Sequence, residues 1–467
     1  MAHYDLLVIG TGPAGQKAAV QAAKLGKKVG IIERKEVVGG VCINTGTIPS
    51  KSLREAILYL SGFRQRNFYG ADYRLKQTIT IVDLAFRCQH VIANEIQIVQ
   101  NQMGRNRVDM LFGTASFVDP HRLRIQQTSG PVEHTANFIV IAVGTEPARP
   151  ADVPFDSSTV IDTDGILTLT RIPTSMVIVG GGVIGTEYAS ILATMGVAVT
   201  LIDKRPRLLE FMDAEIITAL QHQMKGIGVA LYHDEEVVAI RKDSDGQIHV
   251  TLKQARAVTA ETLMYAIGRV GATRELNLPA VGIIPDNRGR LTVNEHFQTS
   301  VPHVYAAGDV IGFPALASTS MQQGRHASCH AFGHPDRTDT ALLPYGIYSI
   351  PEMSMVGRTE EDLTKAEVPY GVGIARYREI ARGQLIGDDR GMLKLLFHCQ
   401  TRELLGVHAI GEGATELIHI GQAVMANHGK IDYFIDTVFN YPTLAECYKV
   451  AALDGVNRLP RPWAPTH

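Results

Sequence analysis

No stretch of this 467-residue chain stays apolar for the ~18–20 residues that a membrane-crossing helix needs. The N-terminus lacks the layout of a secretory signal, because "YDLLVIG" runs straight into a glycine loop. Cysteine is scarce. Five residues, Cys42, Cys88, Cys329, Cys399 and Cys447, are widely scattered and odd in number, which argues against a disulfide framework and for a reducing, cytoplasmic setting. A surplus of either charge is also missing: the formal net charge is −2, without the basic excess of nucleic-acid binders. The length in turn excludes a single core and predicts about three domains.

What the chain does have is glycine in telling places. Strand-like "LLVI" enters Gly10-x-Gly12-x-x-Gly15, an alanine-rich helix follows, and a second strand ends at Glu33. This is a dinucleotide fingerprint in its required context. The glycines let backbone approach a pyrophosphate, the helix N-terminus directs free N–H groups at the phosphates, and the acid is placed for a ribose 2′-OH. The pattern returns in "SMVIVGGGVIGTEYASILATMGVAVTLID", with Gly180, Gly182, Gly185 and Asp203 in the same roles. Two fingerprints imply two dinucleotides on one chain, and electron transfer between them.

Further segments fit this plan. "FIVIAVGTEP" reads as a strand leaving the first domain through a Gly-x-x-Pro turn, and "HVYAAGDV" as a strand ending in Gly308-Asp309. Asp309 is placed either to hold a cofactor hydroxyl or to cap a helix. Beyond about residue 345, "PYGIYSIPEMSMVG", "MLKLLFHC" and "LLGVHAIG" read as strands and "ATELIHIGQAVMAN" as a helix, with no fingerprint. The histidines, among them His419 and His428, show no metal spacing, and no metal is expected.

Taken together, these residues resemble, end to end, the two-dinucleotide flavoproteins typified by dihydrolipoamide dehydrogenase and glutathione reductase. The loop around Cys42, "GTEPARP", Glu187 after the second fingerprint, "AIGR" at 266–269, "YAAGD" at 305–309 and "YPTLAE" at 441–446 carry the likeness. It implies an α/β chain with two Rossmann-like dinucleotide-binding domains and a C-terminal α+β dimerisation domain. The expected boundaries are 1–150 and 271–342 for the two parts of an FAD domain, 151–270 for an NAD(P) domain and 343–467 for dimerisation. FAD would lie on Gly10, Gly12, Pro13, Ala14, Gly15, Glu33 and Arg34, on the loop residues Gly40, Val41, Cys42, Thr47 and Lys51, and on Ala115, Ala142, Gly144, Thr145, Gly308, Asp309 and Ala317. NAD or NADP would lie on Gly180, Gly182, Val183, Ile184, Gly185, Glu187, Asp203, Lys204, Arg205 and Gly268.

Two departures matter. Disulfide reductases of this family carry Cys-x4-Cys, but the second position here is Thr47, and a hydroxyl forms no redox disulfide. Their C-terminal His-Pro acid–base is here Tyr441-Pro442, a phenol with an ordinary pKa of ~10. Losing both removes the sulfur relay. Within the family, "C-x-x-x-G-T-I-P-S-K" at 42–51, "F-N-Y-P-T-x-A-E" at 439–446 and "VAALDGVNRL" at 450–459 resemble the branch of soluble pyridine nucleotide transhydrogenases. That implies ping-pong hydride transfer from NADPH to NAD⁺ by a homodimer or higher homo-oligomer, with no nucleic acid or membrane partner.

The expected catalytic residues are Lys51, Glu187, Thr47, Cys42 and Tyr441. By the resemblance, Lys51 and Glu187 pair near flavin N5. Cys42 is a packing residue, a vestige or an oxidation-sensitive thiol; Thr47 bonds the flavin or fills a thiol's space; Tyr441 shields the flavin or is core. Glu446 would orient local groups. Lys204, Arg205 and Arg207 are either phosphate-attracting cations beside Asp203 or a solvated run. The rival activities are an NAD(P)H dehydrogenase feeding a quinone, a dihydrolipoamide dehydrogenase, and a nucleotide-sensing flavoprotein that does not turn over.

Overall fold

The computed structural model describes residues 1–254, 256–335 and 342–459. Residues 336–341 and 460–467, which belong to the expected second FAD segment and the C-terminal domain, lie outside the described residues. Strand His3–Ile9, helix Pro13–Lys24 and strand Val29–Glu33 form a right-at-the-start βαβ unit, its two strands paired in parallel. Leu6, Leu7 and Val8 are all fully buried, as a parallel strand covered on both faces requires.

The first sheet runs Asp109–Phe112, Val29–Glu33, His3–Ile9, Gly130–Ile141, Arg122–Gln127, Thr114–Asp119. The long strand Gly130–Ile141 does two jobs: its first half pairs antiparallel with Arg122–Gln127 and its second half parallel with His3–Ile9. Strand Val304–Ala306 also pairs with it, so the chain returns to this sheet late. Between departure and return, Thr145–Pro147 and Arg269–Gly271 form an antiparallel two-stranded link.

The second sheet is all parallel, in the order Ala230–Tyr232, Ala198–Ile202, Ser175–Val179, Thr262–Tyr265, Val160–Asp162. One face is covered by an antiparallel meander whose Ile248, Val250 and Leu252 pack on Val177, Val179 and Ile202. The other face carries helix Val183–Thr194, which is buried from Gly185 onward.

The third sheet is antiparallel, ordered Tyr345–Ile347, Met353–Gly357, Leu404–Ile410, Met392–His398, Tyr370–Arg376. Helices Ala414–Ala426 and Glu446–Arg458 bury apolar faces against it. The segments read from the sequence become strands Tyr345–Ile347, Met353–Gly357, Met392–His398 and Leu404–Ile410 and helix Ala414–Ala426, whereas strand Tyr370–Arg376 and helix Glu446–Arg458 were not expected. One apolar cluster joins all three parts: Leu53 and Ile57 of helix Thr47–Leu60, Tyr188 and Ile191 of the second-fingerprint helix, and Ile347, Ile350 and Met353. The site is assembled around that junction. Among the described residues no helix is long and apolar enough to cross a membrane.

Candidate active site

The first fingerprint opens a cleft. Helix Pro13–Lys24 starts with Gly12 as its N-cap and no capping side chain, so its first N–H groups are left for a ligand. Gly15 is there for contact rather than flexibility: a Cβ on it would stand 1.9 Å from the Gly10 carbonyl oxygen, so the helix could not seat on the strand. Glu33, 7% exposed, closes the cleft at the end of the second strand. Its carboxylate accepts from the Thr11 hydroxyl and from the Lys35 N–H at 3.0 Å, while Thr11 Oγ1 accepts the Gly39 N–H at 2.9 Å. Thr11 therefore ties the acid to the cysteine loop.

The cleft is lined by Gly10, Gly12, Pro13 and Ala14, by Glu33 and Arg34, and by Gly40, Val41, Cys42 and Thr47. Ala115, Ala142, Gly144, Thr145, Gly308, Asp309 and Ala317 complete it. Asp309 begins a short 3-10 turn without a side-chain cap bond, so its capping role is not taken up. Burial pushes its carboxyl up, and the Arg269 charge and the Ser320 hydroxyl pull the other way. A long cleft with bare helix-start N–H groups, a glycine floor and an acid at the far end suits a dinucleotide, and these residues fit FAD.

Cys42 sits in the short helix Gly40–Asn44, half-buried, with Thr47 at the start of helix Thr47–Leu60. Burial pushes the thiol up; the hydrogen bond with the Thr47 side chain and the Lys51 charge only partly offset this. A thiol held protonated is a poor nucleophile. None of the five cysteines is in a disulfide.

One helical turn beyond Thr47, Lys51 Nζ reaches both Glu187 oxygens, at 2.9 and 2.8 Å. The glutamate side chain is 4% exposed and the lysine 25%. The Tyr348 N–H also donates to Glu187 Oε1 at 2.9 Å, and the Tyr348 ring lies 4.9 Å from Lys51 Nζ. Glu187 is thereby held on two sides.

The second fingerprint repeats the first closely. Gly182 caps helix Val183–Thr194 without a side chain, and a Cβ on Gly185 would again lie 1.9 Å from a carbonyl, that of Gly180. Val183 and Ile184 pack at the helix start, and Gly268, at φ +121°, lies between strands Thr262–Tyr265 and Arg269–Gly271. Asp203, 4% exposed, accepts the Gly181 N–H as Glu33 accepts Thr11. Arg205 forks onto it, Nε at 2.9 Å and Nη2 at 2.7 Å, and adds its backbone N–H at 2.8 Å. Burial pushes the Asp203 carboxyl up, but these donors outweigh it and hold it below its usual range.

A family model for pyridine nucleotide-disulphide oxidoreductases matches residues 4–324, and a model for the dimerisation domain of the same family matches 343–452. The chain belongs to the pyridine nucleotide-disulphide oxidoreductase family. The protein named soluble pyridine nucleotide transhydrogenase in Mycobacterium bovis (strain BCG / Pasteur 1173P2) is 53% identical over 98% of both chains. That of Vibrio vulnificus (strain YJ016) is 45% identical over 98% of this chain and 99% of its own. Among solved structures, LpdA from Mycobacterium tuberculosis superposes with a TM-score of 0.89 at 24% identity, over 97% of this chain and 99% of that one. The HOCl-induced flavoprotein disulfide reductase RclA from Escherichia coli, as a Cu(II) complex, gives 0.87 at 26%, over 97% and 99%.

Several residues singled out from the sequence stand apart from the cleft of this family member. Gly15 packs helix on strand, and Lys51 sits beyond the lining with Glu187. Tyr441 is 69% exposed, so it is not core, and within one chain it does not line the FAD cleft. Arg207 is bonded to Glu361 and the Glu210 carbonyl, which removes it from the cations around Asp203; Lys204 is exposed. Glu446 Oε2 is buried with no hydrogen-bond partner among the described residues. Thr11, Asn44 and Ser320 also line the cleft and were not singled out; a hydroxyl residue inside the first Gly-x-Gly is the available signal for Thr11.

Proposed function

We propose that this protein is a homodimeric FAD enzyme that transfers hydride from NADPH to NAD⁺ in a ping-pong cycle and acts in the cytosol. The observation that carries it is the pairing at the cysteine loop. Thr47 stands beside Cys42 where a redox disulfide needs a second thiol, while the Lys51–Glu187 pair is complete. The name shared by the curated relatives supports the same reading. We read residues 1–150 and 271–342 as the FAD unit, 151–270 as the NAD(P) unit and 343–467 as the dimer-forming unit.

Bound FAD supplies a carrier that accepts a hydride from one nicotinamide and gives it to another. The chain's own residues do the rest. Gly10, Gly12 and Pro13 bring bare backbone to the cofactor's pyrophosphate, and Glu33 accepts from its ribose. Lys51 offsets the negative charge that arrives with the hydride, and Glu187 compensates that half-buried cation. NADPH and NAD⁺ alternate on the Gly180–Gly185 turn and helix start; Asp203 serves the 2′-OH of one and Arg205 the 2′-phosphate of the other. Exposed Tyr433, Val438 and Tyr441 on the third unit fit a face covered by a second copy, where Tyr441 would shield the partner's flavin.

The test uses NADPH deuterated at C4 on the transferred face, with NAD⁺ as acceptor. Deuterium recovered in NADH, with parallel initial-rate lines, is the expected result. Intersecting initial-rate lines, or no NADH at all, rejects the reading; hydrogen from solvent in NADH does not, because the N5–H of a reduced flavin exchanges with water.

A further inference from the structure

Helix Thr47–Leu60 presents a second cation, Arg54, close to Lys51, and its side chain is only 4% exposed. A guanidinium buried so far is costly unless its donors are all used. Its Nε donates to the Ser349 carbonyl at 3.1 Å, Nη2 stands 3.2 Å from the Glu352 carboxylate, and Nη1 stands 2.7 Å from Glu55. Glu352 is itself 8% exposed in its side chain and accepts from the Thr415 hydroxyl at 3.3 Å.

The stretch that Arg54 grips is the one that grips Glu187 from the other side. Tyr348 N–H donates to Glu187 Oε1 at 2.9 Å. Two residues on, Ile350 N–H donates to Ser190 Oγ at 2.9 Å, and Ser190 Oγ donates to the Glu187 carbonyl at 2.8 Å. Arg54 is thus linked to Glu187 through the backbone of residues 348–350, which bonds the Glu187 carboxylate from Tyr348 and, by way of Ser190, the Glu187 carbonyl from Ile350.

We propose that Arg54 is a positioning residue for hydride transfer, fixing residues 348–352 so that the Tyr348 N–H aims the Glu187 carboxylate at Lys51. The inference rests on the reading that the Lys51–Glu187 pair serves hydride transfer. Without Arg54, Ser349 and Glu352 lose their buried donor, residues 348–352 relax, and Glu187 and Lys51 turn together about their long side chains.

The test is a double-mutant cycle with Arg54→Met and Glu187→Gln in the FAD-loaded enzyme, reading the single-turnover rate of flavin bleaching at saturating NADPH. FAD content and the circular-dichroism melt accompany each variant. Arg54→Met slows bleaching on the order of 10–100-fold with NADPH affinity little changed, since an ångström-scale misplacement carries such a cost. In the Glu187→Gln background it adds nothing. Arg54→Lys recovers part of the rate, because an ammonium reaches Glu352 without also forking to Ser349. Should Arg54→Met not fold, Glu352→Gln tests the same path and slows bleaching in the wild-type background only. An unchanged rate, or an equal loss in both backgrounds, overturns the role of Arg54. A normal rate in Glu187→Gln alone overturns the reading of the pair itself, and with it the reason for Arg54.

Discussion

Replacing Arg205 by methionine separates the two coenzymes. The guanidinium has five N–H groups. Nε and Nη2 are turned onto Asp203, which leaves the Nη1 pair and the second Nη2 hydrogen for a 2′-phosphate. A hydrogen bond to a charged group is worth about 1.5–3 kcal/mol, or on the order of 10–100-fold in affinity. Arg205 is 37% exposed in its side chain, so water and salt screen it and the lower end applies. The expected loss is about tenfold in Kd for NADP⁺. NAD⁺ should hold its affinity or gain slightly, because Asp203 is freed to accept from the 2′-OH. Titration of both oxidised coenzymes into wild type and variant, by flavin-fluorescence quenching at two salt concentrations, gives the numbers. Equal losses for the two would mean that Arg205 only props Asp203, and would refute the reasoning.

Three further outcomes follow from the same geometry. Thr47→Cys places a second thiol beside Cys42, so anaerobic titration should consume about two equivalents of NADPH per flavin where wild type takes about one. Cys42, its thiol pushed up by burial, should alkylate slowly with iodoacetamide at neutral pH and faster toward alkaline pH, read by peptide mass spectrometry. Lys394, fully buried, holds Asp213 at 2.9 Å, Glu215 at 3.1 Å and Glu360, joining helix Ala214–Gly226 of the second unit to the third sheet. Lys394→Met leaves Asp213 charged and buried, which should cost about 3–5 kcal/mol in denaturant unfolding at neutral pH. Burial pushes the Asp213 carboxyl up, but the His408 and Lys394 charges hold it net below its usual range. Its contribution is therefore present above an unfolded pKa of ~3.9 and is lost as pH falls through the lower folded value. The gap between variant and wild type should narrow in that acid window.

The two fingerprints were legible because each is a local device: strand, glycine turn, helix start and terminal acid within some two dozen residues, repeated with the same would-be Cβ clash at Gly15 and Gly185. Most of the cleft lining followed from them and from the family likeness. What the chain could not announce is pairing across its length. Lys394 lies in "MLKLLFH", whose strand reading says nothing of a partner, yet it is fully buried against Asp213, Glu215 and Glu360 from two other segments. Arg54 looks like an ordinary helix cation until Ser349 and Glu352 close over it. Period and composition report which face is apolar; they do not report which distant carboxylate a buried cation will meet.

In the proposed cycle electrons pass from one nicotinamide to the other through FAD with no sulfur between them. Anaerobic stopped flow tests it most directly: NADPH first, NAD⁺ second, with the flavin spectrum followed throughout. The account predicts full bleaching at 450 nm with no thiolate–flavin charge-transfer band, then complete recovery on NAD⁺ with one NADH formed per flavin. A thiolate–flavin charge-transfer band on reduction, or bleaching that NAD⁺ fails to reverse, would overturn it.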